Sequence, residues 1–338
     1  MGPTVKPLLI GVSARALFNL DYATGILRKD GLDSYREYQS RQRAVPLKPG
    51  IAYRFVKRML GLNSIAPEDA PLVELAIISH MDPDTGCRVM NSLEPLHLDA
   101  TESVFTSGDD LVPYLKAMDV KLYLSMNRQT VKDAIGQGVP AGTIVTKRAI
   151  TRHDTDDGQI RIAFDFDGCI GADDAERIFQ ENGLEAFNEH ESDNATLPLD
   201  TGPMYPFIEG LSRIQKAEDR YAKEHDDYRR RLRIAIITAR SATSGIRAMN
   251  TLDSWGISVD DAFYMGGHDK VPVLSAYRPH LFLDDSPENT ELARTAATSV
   301  HVPFGVSNEN GHAGKEATVA DADTAKEQDK AKPAGDRR

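Results

Sequence analysis

The sequence predicts an α/β fold: a doubly wound parallel-sheet unit built twice in tandem, with a helical cap insertion in the second copy. Three observations predict it. Short apolar runs alternate with helical stretches, a set of residues recurs at fixed spacing, and only the second half ends its strands in paired carboxylates. The 338 residues exceed the usual size of one domain and leave room for two.

The apolar runs are residues 7–12, 75–79 and 120–124, then 160–166, 233–238 and 280–283. Continuous runs of this length between helices fit strands buried on both faces of a parallel sheet. The repeat is read from identities. Gly86, Arg88, Met90, Asn91 and Leu93 match Gly245, Arg247, Met249, Asn250 and Leu252, each 159 positions on. Val112-Pro113 matches Val271-Pro272 at the same spacing. Residues 1–150 are therefore expected to form one half and 160–305 the other, with a polar junction at 151–159. The cap is expected at about 171–232, with an amphipathic helix over 174–187. Phe207, Ile208, Leu211 and Ile214 lie at helical spacing, and residues 216–231 are dense in charge. Residues 306–338 almost lack large apolar side chains, the composition of a disordered tail.

Composition narrows the function. Hydrophobic residues make up 41% and charged residues 27%, and the net charge is −11. Such a balance opposes non-specific nucleic-acid binding, which needs a basic surface, but allows a small anionic substrate. Cys87 and Cys169 match no zinc spacing and suggest reduced thiols, with Cys169 a packing residue. No leader pattern or membrane-length apolar run is present, so a cytoplasmic protein with no membrane partner is expected. A homo-oligomer is left open.

Three strand ends in the second half carry chemistry. In an open parallel sheet, ligands sit beyond the carboxyl ends of the strands. The first end reads I-A-F-D-F-D-G, residues 162–168, and places Asp165 and Asp167 two residues apart. Two like charges held together repel, and a hard divalent cation such as magnesium relieves the repulsion. The second reads I-I-T-A-R, with Thr238 offering a hydroxyl. The third reads L-D-D-S-P-E, with Asp284 and Asp285 before a helix start at Ser286-Pro287. Between these last two lies G-G-H-D-K, where Lys270 can neutralise a phosphate.

This order resembles the haloacid dehalogenase superfamily of phosphatases. The segments V-S-A-R-A-L-F (12–18), I-T-A-R-S-A (237–242), R-P-H (278–280) and H-V-P-F-G (301–305) resemble the cytosolic 5′-nucleotidase type I family, over about residues 8–305. The resemblance implies a magnesium-dependent hydrolysis of nucleoside 5′-monophosphates, AMP first, through an aspartyl-phosphate. It implies Asp165 as nucleophile and Asp167 as acid, then base. Magnesium would be held by the Asp165 carboxylate, the Asp167 carbonyl and Asp284, with Asp285 orienting this shell or binding through water. Thr238 and Lys270 would hold the phosphoryl oxygens. The animal members' first motif runs D-G-D-A where this chain runs D-F-D-G; both Asp positions survive, and substrate preference stays open. Other small phosphate esters, or a catalytically silent nucleotide sensor, remain as alternatives.

The first half has Ser79, Ser125 and Met126 where the second has Thr238, Asp284 and Asp285. Ser13 and Arg15 align with Asp165 and Asp167 at a spacing of 152. A half without the carboxylates cannot run the same chemistry. Arg88, Arg247, Asn91 and Asn250 recur in both halves and are therefore read as serving the fold.

Overall fold

The computed structural model describes residues 6–149 and 157–309. Most of the expected junction and the tail from residue 310 lie outside the described residues; Val306–Glu309 form a short helix. Ten strands make one sheet: β1 Leu8–Val12, β2 Val73–Ser79, β3 Glu102–Phe105, β4 Leu122–Ser125, β5 Ala141–Ile144, β6 Ile160–Phe164, β7 Leu232–Thr238, β8 Asp261–Tyr264, β9 Leu281–Asp284 and β10 Ser299–His301. Their order is β8-β7-β6-β9-β10-β5-β4-β1-β2-β3. Helices pack on the sheet, and β1, β4, β6 and β9 are buried at every position. This is the burial that their continuous apolar sequence demands.

Read from either edge inward, the strand order is the same in both halves. β1 and β6 correspond residue for residue at a spacing of 152, and β2, β3 and β4 correspond to β7, β8 and β9 at 159. All neighbours are parallel except β5 and β10, which pair antiparallel through Ile144 with Val300 and Thr143 with His301. The halves thus join edge to edge and run in opposite directions. Asp284, His301, Thr143 and Ser125 lie on one row of the sheet. Three strand spacings separate Ser125 from Asp284, about 14 Å. Gly142 permits the junction, because a Cβ there would run into the Val300 side chain.

The helical stretch expected only in the second half has a counterpart in the first. Helix Asp174–Asp193 matches helix Asp21–Arg41, and both are kinked at an equivalent glycine, Gly183 (φ 83°, ψ −178°) and Gly31 (φ 85°, ψ 178°). Helix Tyr205–Glu224 matches the shorter Tyr53–Gly61. The second half therefore differs by seven extra residues between its first two strands, not by a whole insertion. The first-half helix was hidden because residues 21–41 are largely polar and bury only Ala23, Thr24, Tyr35 and Gln39. Periodicity is weak where so few positions face the core. Helix Tyr53–Gly61 reaches β6, and helix Tyr205–Glu224 reaches β1, so each half lends a helix to the other's first strand. Phe207, Ile208, Leu211 and Ile214 form the buried face of the latter, as their spacing predicts.

Candidate active site

The carboxyl ends of β6 and β9 bring Asp165, Asp284 and Asp285 into one acidic cluster. Asp165 follows β6, and its N–H donates to the Leu283 carbonyl at 2.8 Å, which fixes it against β9. The next turn requires Gly168, at φ +67°, where a Cβ would sit 2.7 Å from Asp285 Oδ2. Asp284 ends β9 with its side chain wholly buried; Oδ1 accepts the Ser286 N–H at 2.8 Å, and Asn289 Nδ2 donates to both of its oxygens. Ser286 caps the helix Pro287–Ala293, as the sequence predicts.

Lys270 is buried between two of these carboxylates. Its Nζ donates to Asp284 Oδ2 at 2.7 Å and lies 2.9 Å from Asp165 Oδ1. The second approach is off the hydrogen-bonding direction, so Asp165 Oδ1 remains a buried oxygen with no hydrogen bond. Burial alone would lower the Lys270 pKa; Asp165 and Asp284 more than reverse this and hold the ammonium charged. Burial raises Asp165 to about 7, with Lys270 pulling it down and Asp284 and Asp167 pushing it up. Burial, then Asp284 and Asp165, push Asp285 well above the usual carboxylate range.

Oxygen atoms of Asp165, Asp284 and Asp285 all lie within 4.8 Å of one another. An oxygen-only donor set, a buried acceptor without a hydrogen bond and more negative charge than Lys270 can balance fit a hard divalent cation. Asp285 belongs to this group as directly as Asp284 does.

Thr238, at the end of β7, is buried, and its Oγ1 accepts the Arg240 N–H at 3.2 Å. The Gly266-Gly267 turn is tied to the same strand end: Met265, Gly266 and Gly267 N–H donate to the carbonyls of Thr238, Arg240 and Ala239. Both glycines have positive φ. Asp167 stands apart from the carboxylate cluster. Arg240 holds it by two bonds, Nε to Oδ2 at 2.8 Å and Nη2 to Oδ1 at 2.6 Å.

Arg240 and Glu191 carry no role that sequence alone assigns. Arg240 is 2% exposed and lies between the rings of Phe166 and Phe187. Its Nη1 donates to Glu191 and to the Ser244 carbonyl. Arg240 lay in view within the I-T-A-R run, but nothing local pointed from it to Glu191, 49 residues away. Cys169 is fully buried, as expected of a packing residue.

An α/β sheet with carboxylates, a lysine and a hydroxyl gathered at its strand ends is suited to handling a phosphate group beside a cation. The sequence model of the family described as 5′-nucleotidase matches residues 2–309. The chain belongs to the 5′-nucleotidase family. It is 32% identical over 293 residues to cytosolic 5′-nucleotidase 1B of Homo sapiens, covering 85% of this chain and 47% of that protein. The chain thus spans about half the length of that curated relative. No solved structure gives a significant match. Among the described residues, no helix is long and apolar enough to cross a membrane.

Proposed function

We propose that this chain is a phosphatase of the haloacid dehalogenase type, formed by tandem duplication, that hydrolyses nucleoside 5′-monophosphates. AMP is the first substrate to try, and the relative's name favours a cytosolic setting. The observation that carries the reading is the Asp165–Lys270–Asp284 cluster at the strand ends of a 5′-nucleotidase family chain.

Magnesium would be held by Asp165, Asp284 and the Asp167 carbonyl, with the Asp285 carboxylate beside them. When bound, it would supply positive charge to the phosphoryl oxygens and relieve the repulsion among the carboxylates. An Asp165 oxygen bonds to phosphorus as the bond from phosphorus to the nucleoside 5′-oxygen breaks. The electron pair goes to that oxygen, which takes a proton from the Asp167 carboxyl. Water then attacks phosphorus and gives a proton back to Asp167, and the Asp165–phosphorus bond breaks. Nucleoside and phosphate leave with both carboxyl groups restored. Lys270 and the Thr238 hydroxyl bind phosphoryl oxygens, where charge stabilisation dominates the barrier. Asp165 must be ionised to attack; Lys270 opposes the rise that burial causes, and a bound cation would oppose it further.

The test is phosphate release from a panel of nucleoside monophosphates and sugar phosphates, with magnesium or EDTA. The expected result is magnesium-dependent release, strongest with a nucleotide. Asp165→Asn is expected to lower kcat by at least about 10³-fold, roughly 4 kcal/mol of barrier. Full activity in that variant would rule out Asp165 as nucleophile. A folded wild type inert across the panel would favour a nucleotide sensor.

A further inference from the structure

The two halves share one helix anchor. In the second, Arg247 donates to the Leu197 carbonyl and to Glu191; in the first, Arg88 donates to the Val45 carbonyl and to Gln39. Asn250 and Asn91 donate to the carbonyls of Ala195 and Arg43. Thr251 and Ser92 each accept one N–H, from Leu199 and Leu47. These contacts pin the kinked helix and the chain that follows it, and they need no catalytic residue.

Superposed on this anchor is a chain of charges that only the second half has. Arg240 bridges Asp167 and Glu191, and Glu191 is wholly buried between Arg240 and Arg247. The equivalent positions in the first half are Met81, Arg15 and Gln39, and those of Phe166 and Phe187 are Ala14 and Tyr35. A fold that stands on Gln39 and Met81 has no structural need for Glu191 and Arg240. The buried pair occurs only where the catalytic carboxylates occur.

We propose that Arg240 and Glu191 are positioning residues that aim the Asp167 carboxyl at the leaving oxygen, so that helix Asp174–Asp193 is mechanically linked to the catalytic acid. This rests on the phosphatase reading above. Four of the five guanidinium N–H groups are committed: two to Asp167, one to Glu191 and one to the Ser244 carbonyl. The two aromatic faces confine the guanidinium plane. Asp167 therefore inherits its direction from Arg240, and Arg240 from a glutamate on the helix.

The test is the double variant Arg240→Met with Glu191→Gln, which installs the residues the first half already tolerates. First-turnover rates would be compared on AMP, whose alkoxide leaving group needs a proton, and on p-nitrophenyl phosphate, whose phenolate does not. The AMP rate is expected to fall at least about 10²-fold and the nitrophenyl rate less than about 10-fold. Arg240→Lys, which keeps the charge but not the fork, should lie between wild type and the double variant. Arg88→Met, in the half without the relay, should lower Tm and leave the ratio of the two rates at the wild-type value. Equal loss on both substrates with an active wild type would overturn this proposal alone. A folded wild type inert toward both would overturn it together with the phosphatase reading.

Discussion

At the end of β4 the Ser125 hydroxyl accepts the Asn127 N–H at 3.1 Å, and at the end of β9 the Asp284 carboxylate accepts the Ser286 N–H at 2.8 Å. Each turn then starts a helix, capped by Asn127 in one case and Ser286 in the other. The loops that close the two sites correspond just as closely. Ser107 and Gly108 occupy the left-handed region as Gly266 and Gly267 do, and the Ser107 N–H donates to Met81 as the Gly266 N–H donates to Arg240. One residue after Asp110 stands Leu111, where Lys270 follows Asp269. The same backbone can therefore carry Leu111, Ser125 and Met126 in one half and Lys270, Asp284 and Asp285 in the other. Local turn geometry comes from backbone bonds and short polar caps, which Ser and Asp supply alike. The charged cluster comes from a few side chains that the first half folds without.

Moving residues between the halves separates what the backbone supplies from what the side chains supply. The largest effect is expected from Lys270→Leu and Asp284→Ser, which copy Leu111 and Ser125. Each is expected to lower kcat by about 10²–10³-fold. Both should stay folded, because the first half folds with these residues. Circular dichroism and Tm alongside kcat check this; a variant that unfolds would show that the halves are not interchangeable. Lys270→Leu is also expected to weaken the fold at neutral pH without divalent cation, because Asp165 and Asp284 lose their buried partner.

A smaller effect, equal in both halves, is expected at the helix kinks. Gly31 and Gly183 adopt a conformation open almost only to glycine, and a Cβ at either would meet no neighbouring atom. Gly31→Ala and Gly183→Ala are each expected to cost about 1–3 kcal/mol of stability. Urea unfolding of the two variants measures it; a cost at only one position would mean that the kinks serve different ends.

The effect smallest at neutral pH, and growing as pH falls, is carried by His280. Burial, with Arg58 and Arg161 nearby, lowers His280 to about 3, and its Nδ1 accepts the Arg161 N–H at 3.0 Å. Between about 3 and 6.5 the unfolded chain binds a proton at His280 that the folded chain does not. Stability is therefore whole above about 6.5 and lost as pH falls through that window. His280→Gln is expected to flatten the fall of Tm between pH 6.5 and 4.5. The first half has Lys121 at this position, partly exposed and paired with Asp119, and no such dependence is expected there.

Much of the site was legible because its residues sit where strand patterns end. Asp165, Thr238 and Asp284 each close an apolar run, and Lys270 precedes a Val-Pro helix start, so position along the chain announced position in the sheet. The repeated Arg88 and Arg247 were legible as structural by the same logic, and their matching anchors agree. Gly86 and Gly245 recur because each lets a helix approach an aromatic ring, Phe105 or Tyr264. The first-half helix was not legible, since residues 21–41 bury few side chains.

The amino-acid pattern alone is enough for the α/β class, six of the ten strands, the recurring anchor residues and the group of polar residues at strand ends. Those follow from local hydrophobic pattern and spacing. That the halves fuse into one sheet through β5 and β10, and that each lends a helix to the other, emerges only in the folded chain. Folding also joins Arg240 to Glu191, and it places the Asp285 carboxylate in the cluster itself, where sequence left it orienting the shell or binding through water. Edge pairing and buried ion pairs link residues far apart in the chain, and no local pattern records which partner a side chain will meet.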